Sequence, residues 1–566
     1  MGNKDQKQIQ QSNPAKSIRS FNKLQWWIFF VLLFLIVLLS GCYSMVNGDI
    51  WWHLKTGQLI LTEGHIPRTN RFTYTNPESL WIDLHWLFQI IVAIIYNWSG
   101  TSGLILFKSI VGAGVFALLM LTGYRRLPVI LMACCWLPFI WIYIDRFHVR
   151  PEIMSHLLLA LTILCIHKHK TGCKRWIWAL VPLQIVWVNS QGLFVLQLCV
   201  LGAYCVNEQI KGFTSYKING IWYVLLACSI ATVLNPYGLQ GALFPLELLD
   251  KVGGDQRQFF QLLAGETKGM GEFISDYGLD GILHSSTPRL ILITAPVCIT
   301  AVIWGALNRQ QNTIFHCLLL IGFGYLVWNM NRNASLYSIV WGYVLTCVLG
   351  DWLLNARDSH IPGIAIRSVS GVLIAFLALN VVVKGIDIIE GNELEGNHYP
   401  SRRAGFGESQ WYNHQAATFI AELPGISNLY VHYNGTGFAG VIIFNGFGDE
   451  HKYPKRVFAD ARLETNKISV LKDFMSVIGE GNQNLQNAEK ILEKYSDGPT
   501  ALVFKNSDLI YRPRLLEDLI SSPQWRSVYI STEPNIAEGV SVFVPDSIVQ
   551  CHSLEIVSLS LLRAYR

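Results

Sequence analysis

Leu24–Gly57 reads LQWWIFFVLLFLIVLLSGCYSMVNGDIWWHLKTG. From Leu24 to Val46 it carries no charged residue, and a helix needs about 20 apolar residues to cross a bilayer. The run is longer than the apolar core of a secretory leader and lacks a clear small-residue cleavage site, so it reads as a retained first span. Lys4, Lys7, Lys16, Arg19 and Lys23 precede it against Asp5, which puts the N-terminus on the cytoplasmic side. Asp49 then falls at the opposite membrane–water boundary. Trp51 and Trp52 follow at once, amphipathic rings suited to that boundary.

Outward from this stretch the apolar pattern repeats. Hydrophobic residues make up 51% of the 566 and charged residues 15%, against about 25% charged in soluble chains. The charges are unevenly spread. Residues 1–384 hold 28 Lys+Arg and 17 Asp+Glu, whereas 385–566 hold 16 and 22. The basic stretches 167–175, 209–217, 308–311 and 355–367 read as cytoplasmic loops. In that register the loop 47–83, the turn 145–152, the loop 236–287 and everything beyond 384 lie outside. One conflict remains. Loop 47–83 and the basic turn Tyr124–Arg126 require an odd number of crossings between them, yet two apolar runs intervene, 84–99 and 103–123. The first, with His85, Gln89 and Asn97, reads as the weaker of the two.

The fold expected is an α-helical polytopic membrane bundle of 11–13 crossings with a small C-terminal α/β soluble domain. Its parts are a basic cytoplasmic tail (1–23), a transmembrane domain (24–384) with outer loops 47–83 and 236–287, a linker (385–407) and an extracytoplasmic α/β domain (408–566). Strands are predicted at 429–433, 438–444, 456–459, 500–504, 527–530 and 540–544, and helices at 409–422, 469–478, 485–495 and 513–520. The excess base sits in short loops, which argues against nucleic-acid binding. The tail has only Cys551, so it has no internal disulfide framework. No zinc spacing, P-loop, nucleophile elbow or dinucleotide fingerprint occurs.

Chemistry-bearing residues gather in the outer segments. Asp49 is placed to act as general base or to help hold a divalent cation against a phosphate. The bland alternative is that it caps a helix from Ile50 while the tryptophans anchor the loop. His53, Asp83 and His85 share the same loop. In Asp145-Arg-Phe-His-Val-Arg-Pro-Glu152, Arg146 and Arg150 suit a phosphate or pyrophosphate; an ordinary charged turn is the competing reading. Arg332, among Asn329, Asn331 and Asn333, suits a lipid phosphate. Loop 236–287 reads as a lid or a solvated connector. Asp460, at the end of a predicted strand, reads more readily as a turn and salt bridge.

The order Asp-x-Trp-Trp-His-Leu-x-Thr-Gly, Gly-x-Ile-Pro, Thr-Tyr-Thr and Trp-x-x-x-x-Trp-Leu-x-Gln, followed by Arg150-Pro-Glu152, Trp187-Val-Asn189, Asn235-Pro-Tyr-Gly238 and Val457–Glu464, resembles a group of bacterial multi-pass proteins. Those are similar to the GT-C superfamily of membrane glycosyltransferases. The resemblance implies a sugar taken from a polyprenyl-phosphate- or polyprenyl-pyrophosphate-linked donor at the outer face of the plasma (inner) membrane and passed to an envelope glycan, lipid or protein. It implies Asp49 as base, with His53, Asp83 and His85 in support, and Arg146, Arg150 and Arg332 on the lipid phosphate. It also implies a divalent cation, Mg or Mn, at Asp49 if anywhere. Many members carry a second acid close by; here the nearest are Glu63 and Asp83. The alternatives are a non-catalytic lipid or polysaccharide transport component, and an envelope scaffold whose tail binds a partner.

Overall fold

The computed structural model describes residues 23–565 except 78, 124–126, 212–219, 255–256, 258, 260–266, 356–362, 395–401, 434–435, 449–450, 463, 478–484 and 497. The basic tail up to residue 22, the Tyr124–Arg126 turn, and Asp255 and Glu266 of the loop 236–287 therefore lie outside the described residues. Five helices frame the first part: α1 (Lys23–Gly41), α2 (Asp49–Glu63), α3 (Trp86–Gly123), α4 (Val129–Asp145) and α5 (Glu152–Lys170). Six helices among the described residues are long and apolar enough to cross a membrane: Lys23–Gly41, Trp86–Gly123, Gly192–Lys211, Ser286–Leu307, Asn331–Leu353 and Ser368–Glu390. Shorter apolar helices, Val129–Asp145, Ile221–Ala231 and Thr313–Asn329, accompany them. Their outward faces carry large apolar side chains in the open, among them Val297, Ile303, Ile321, Val372, Phe376 and Leu379. A water-facing surface rarely tolerates so continuous an apolar girdle, whereas lipid does. The last of these helices runs to Glu390, past the change in composition near residue 385.

Helix α3 resolves the count that composition left in conflict. Gly100 stands inside it at φ 58° and ψ −153°, a backbone that an L side chain rarely adopts. The kink splits α3 into arms 86–99 and 101–123. The first arm, at about 1.5 Å per residue, spans about 21 Å and falls short of the ~30 Å hydrocarbon core. It lies instead against α2. A Cβ placed on Gly57 would come within 2.1 Å of the Gln89 carbonyl oxygen, so glycine lets the two backbones touch. Of the two arms only the second, at about 34 Å, is long enough to cross.

The stretch 236–287 is not a plain lid or connector. It forms helices Gly238–Gly253 and Met270–His284. Asn235 Nδ2 donates to the Thr232 and Gly238 carbonyls and stops the preceding helix.

The tail holds a five-stranded sheet, order β2-β1-β3-β5-β4, built from β1 (Asn428–His432), β2 (Arg456–Val457), β3 (Thr500–Lys505), β4 (Trp525–Ile530) and β5 (Val540–Pro545). β1 pairs in parallel with β2 and β3, while β5 runs antiparallel to β3 and β4. The predicted strand at 438–444 is instead the helix Gly437–Gly446. Nearly all of this apolar run is buried, so it lacks the in–out alternation that separates a strand from a buried helix. It packs on α2: a Cβ on Gly440 would meet the Gly48 carbonyl oxygen at 2.7 Å.

The sheet edge at β2 is closed by the first loop. The Val457 N–H donates to Phe72 O at 2.9 Å, and the Tyr74 N–H to Val457 O at 3.2 Å. Below that edge Asp460 and Arg462 form an ion pair at 2.5 Å with both side chains 0% exposed. The Arg462 guanidinium lies 4.5 Å from the Trp81 ring and 4.7 Å from that of Phe72, and it donates to Asn70 Oδ1 at 2.7 Å. Asp460 is thus the structural turn that its sequence position suggested. Removing one partner of a buried pair leaves an uncompensated charge. Asp460→Ala is expected to cost about 3–5 kcal/mol, read as a lowered unfolding temperature and faster proteolysis between the first loop and the tail. An unchanged unfolding temperature would contradict this docking.

Candidate active site

Asp49 is the first residue of α2, after Gly48 in the cap position; it does not cap a helix from Ile50. Its N–H donates to Asn47 Oδ1 at 3.2 Å. Its carboxylate stands 2.9 Å from the Arg150 guanidinium. Arg150 lies in the turn between α4 and α5, and Pro151 leads directly into α5. Proline's fixed φ suits the start of a helix. Glu152, the first residue of α5, takes Arg332 at 2.5 Å on one oxygen and stands 3.8 Å from Arg146 on the other. The structure thus brings Asp49, Arg146, Arg150 and Arg332 into one neighbourhood at the loop end of the bundle. Glu152 joins two of the arginines, a role that sequence spacing did not show.

His53 and Asp83 are buried beside this group, whereas the His85 side chain is about as exposed as that of Asp49. His53 is 3% exposed, covered by the Trp52 ring at 3.5 Å, with its Nδ1 3.3 Å from Gln89 Nε2. Burial, then the nearby His85, Arg150 and Arg462, hold its imidazole well below the ordinary range. Asp83 is fully buried. It accepts the His85 N–H at 3.0 Å and lies 3.5 Å from the His85 ring. Burial pushes the His85 imidazole down, but the Asp83 hydrogen bond and the charges of Asp83 and Glu464 outweigh it, and the net direction is upward. Burial likewise raises Glu464 against the opposing charges of His85 and Arg462. Of the other nearby acids, Glu63 is taken by Arg71 at 2.6 Å.

Sequence spacing also missed Tyr43, Lys108 and Arg402. The Tyr43 hydroxyl donates to the Phe147 carbonyl and lies 3.1 Å from His148 Nδ1, which ties the Arg146–Arg150 turn to the end of α1. Burial, followed by the charges of Arg150, Arg402, Lys108 and Arg146, holds His148 well below its ordinary range. A signal for Lys108 did exist: it is the one charged residue in the run 103–123, and an ionisable group in such a run marks a functional candidate.

Among the described residues no three His, Cys, Asp or Glu side chains converge on a metal position. A divalent cation needs several oxygen ligands. Asp49 faces the Arg150 guanidinium and Glu152 faces that of Arg332, so a divalent cation at Asp49 would have to compete with arginine for the carboxylate.

No family model matches the chain, and no curated protein matches it in sequence. Solved structures do match it in fold. The archaeal oligosaccharyltransferase AglB from Archaeoglobus fulgidus, in complex with an inhibitory peptide and a dolichol-phosphate, superposes with TM-score 0.54 at 13% identity, over 90% of this chain and 74% of that one. The Archaeoglobus fulgidus oligosaccharyltransferase in its apo form gives 0.51 at 12% identity, over 94% and 78%. The chain has the GT-C fold. The likeness runs through both the helical bundle and the tail. At this identity it speaks for architecture, and the side chains speak for themselves.

The His85–Asp83 pair has a pH signature. A histidine raised in the folded state adds stability that is fully present below its unfolded value, about 6.5, and is lost as pH rises through the folded value. The unfolding-temperature gap between the wild type and His85→Gln is therefore expected to be widest below that value and to shrink as pH rises above it. A gap that widens with pH would contradict the assignment. His148 is common to both proteins and cancels in the difference.

Proposed function

We propose that the protein is a membrane glycosyltransferase that moves a sugar from a polyprenyl-phosphate-linked donor to an envelope glycan, lipid or protein. One observation carries the reading. In a GT-C bundle, a partly exposed carboxylate, Asp49, sits 2.9 Å from Arg150 and beside the Arg332–Glu152–Arg146 cluster. That is a base beside an anion-binding surface, at the end of the bundle where a lipid headgroup would lie.

The chemistry balances on these groups. The acceptor hydroxyl or amide attacks the anomeric carbon, its proton passes to the Asp49 carboxylate, and the bond from that carbon to the phosphate oxygen breaks. The phosphate keeps the electron pair. Arg150 holds the Asp49 carboxylate in place, and the arginines offset the charge that grows on the departing phosphate. Asp83 holds His85 at the start of the first arm of α3, where His85 supports the site. No step is routed through a metal ion.

In this reading the N-terminus is cytoplasmic and the loop end, with the tail domain, faces out of the plasma (inner) membrane. The tail's surface is then available to an envelope partner. Two measurements test the proposal. With purified protein and radiolabelled polyprenyl-phosphate sugars, Asp49→Asn is expected to lower turnover by about 10²–10⁴-fold while lipid binding persists. Wild-type rates in Asp49→Asn would end the assignment, as would an inert wild type that still moves lipid across vesicles. For orientation, Cys551 and Cys173 are both exposed. A membrane-impermeant thiol reagent added to intact cells is expected to modify Cys551 in the tail and to spare Cys173 in the loop 171–175. The reverse pattern would invert the topology.

A further inference from the structure

The helix Ile221–Ala231 has 11 residues and follows the basic stretch 209–217 in the chain. Tyr223, in its first turn, is exposed, which suits an aromatic ring at a membrane boundary. At about 1.5 Å per residue the helix rises about 17 Å, little more than half of the ~30 Å hydrocarbon core. Started from that boundary, it ends inside the membrane. Leu226 and Ile230 are exposed along it, and Val233 and Leu234 just beyond its end. The chain then turns at Asn235-Pro236 and enters the helix Gly238–Gly253. That second helix therefore begins at a depth where hydrocarbon, not water, surrounds the bundle.

Its two faces differ. On one, Phe244 packs on the apolar core of the bundle and Leu248 on that of the tail. Lys251 Nζ donates to the Asn466 carbonyl at 2.8 Å, and Asn466 Nδ2 donates to the carbonyls of Asp460 and Arg462. On the other face Leu239, Leu243, Leu246 and Leu249 are 47–62% exposed. Steps of four, three and three residues keep them on one side of a helix. This stripe follows directly on the exposed Ile230, Val233 and Leu234, so it continues the lipid-facing girdle. Glu247 and Asp250, toward the C-terminal end, are exposed too. Carboxylates are costly in hydrocarbon and tolerated at the headgroups. The helix is thus oblique, deepest at Leu239 and at the surface by Asp250, where the tail meets it.

We propose that Gly238–Gly253 is an interfacial helix whose leucine face is seated in the lipid acyl chains of the leaflet at the loop end, and that Lys251 ties the tail domain to it. The stretch 236–287 then carries a membrane anchor for the tail. This holds whether or not the chain transfers a sugar.

The test is photo-crosslinking of the full-length protein in phospholipid nanodiscs. Leu243, Asp250 and, for reference, Val372 of the girdle are replaced one at a time by a benzophenone amino acid, and the adducts are read by mass spectrometry. Acyl-chain adducts at position 243 are expected within about threefold of those at 372, and about tenfold fewer at 250. Adducts at 372 without any at 243 would overturn the proposal. So would crosslinks from 243 to a second copy or to another protein segment in place of lipid. Equal acyl-chain adducts at 243 and 250 would overturn the oblique seating. For the tie to the tail, Lys251→Met is expected to speed hydrogen exchange at the Thr465 and Asn466 amides, which bond to Arg462 O, by at least about threefold. Unchanged protection there would remove the tie.

Discussion

Burial of Trp51 against the tail domain is the contact on which the rest of the arrangement depends. Its ring is fully buried, edge-on to Tyr412 at 5.3 Å and to His414 at 4.7 Å, and tilted on Phe444 at 5.0 Å. Aromatic contacts of this kind combine large apolar area with directional geometry. Trp51 belongs to α2, so seating it fixes the axis of that short helix between the bundle and the tail. Two residues earlier on the same helix is Asp49. The position of the carboxylate is thus set by tertiary packing and not by the flexibility of an exposed loop.

The same wedge explains why the tail is built into the site. The Tyr412 hydroxyl donates to the Asn47 carbonyl at 2.8 Å, while Phe72 and Tyr74 extend the sheet edge at β2. The Asp460–Arg462 pair fills the space beneath Trp81. Each of these contacts joins a residue before position 90 to one beyond position 400. A conformational change in the tail would therefore be felt at Asp49 through packed side chains.

Electrostatics divides the loop end into two zones. Around Asp49 and Glu152 each carboxylate has an arginine, and the pairs hold one another in place. Around Tyr43 the cations Lys108 and Arg402 stand over the ring and, among the described residues, form no ion pair with a carboxylate. The supporting histidines answer the same field in opposite directions. Asp83 draws the His85 imidazole upward against its burial, whereas burial and neighbouring positive charge hold His53 and His148 well below their ordinary range.

Some of this was legible in the chain itself. The charge-free run from Leu24 to Val46, the shift in composition near residue 385 and the short runs rich in β-branched and aromatic residues at 500–504 and 540–544 each determine local structure, because apolar length and composition are properties of short windows. Asp49 and the arginines of the 145–152 turn were also visible, since charges beside apolar runs stand out. Three things were not. The run 84–99 had span-like hydropathy but is an arm folded on α2, and only the left-handed backbone at Gly100 decides that. The run 438–444 had strand-like composition but packs as a helix, because α2 offers it a face on every turn. The partners of the charges, Glu152 with Arg332 and Lys108 with Arg402 across Tyr43, lie far apart in sequence, with separations of 180 residues in the first case. Spacing along a chain carries no information about such pairs. Sequence by itself determined which segments seek lipid and which residues carry charge; only the tertiary structure decided which charges meet, because ion pairing depends on distances in space that the packing of α2 between bundle and tail creates.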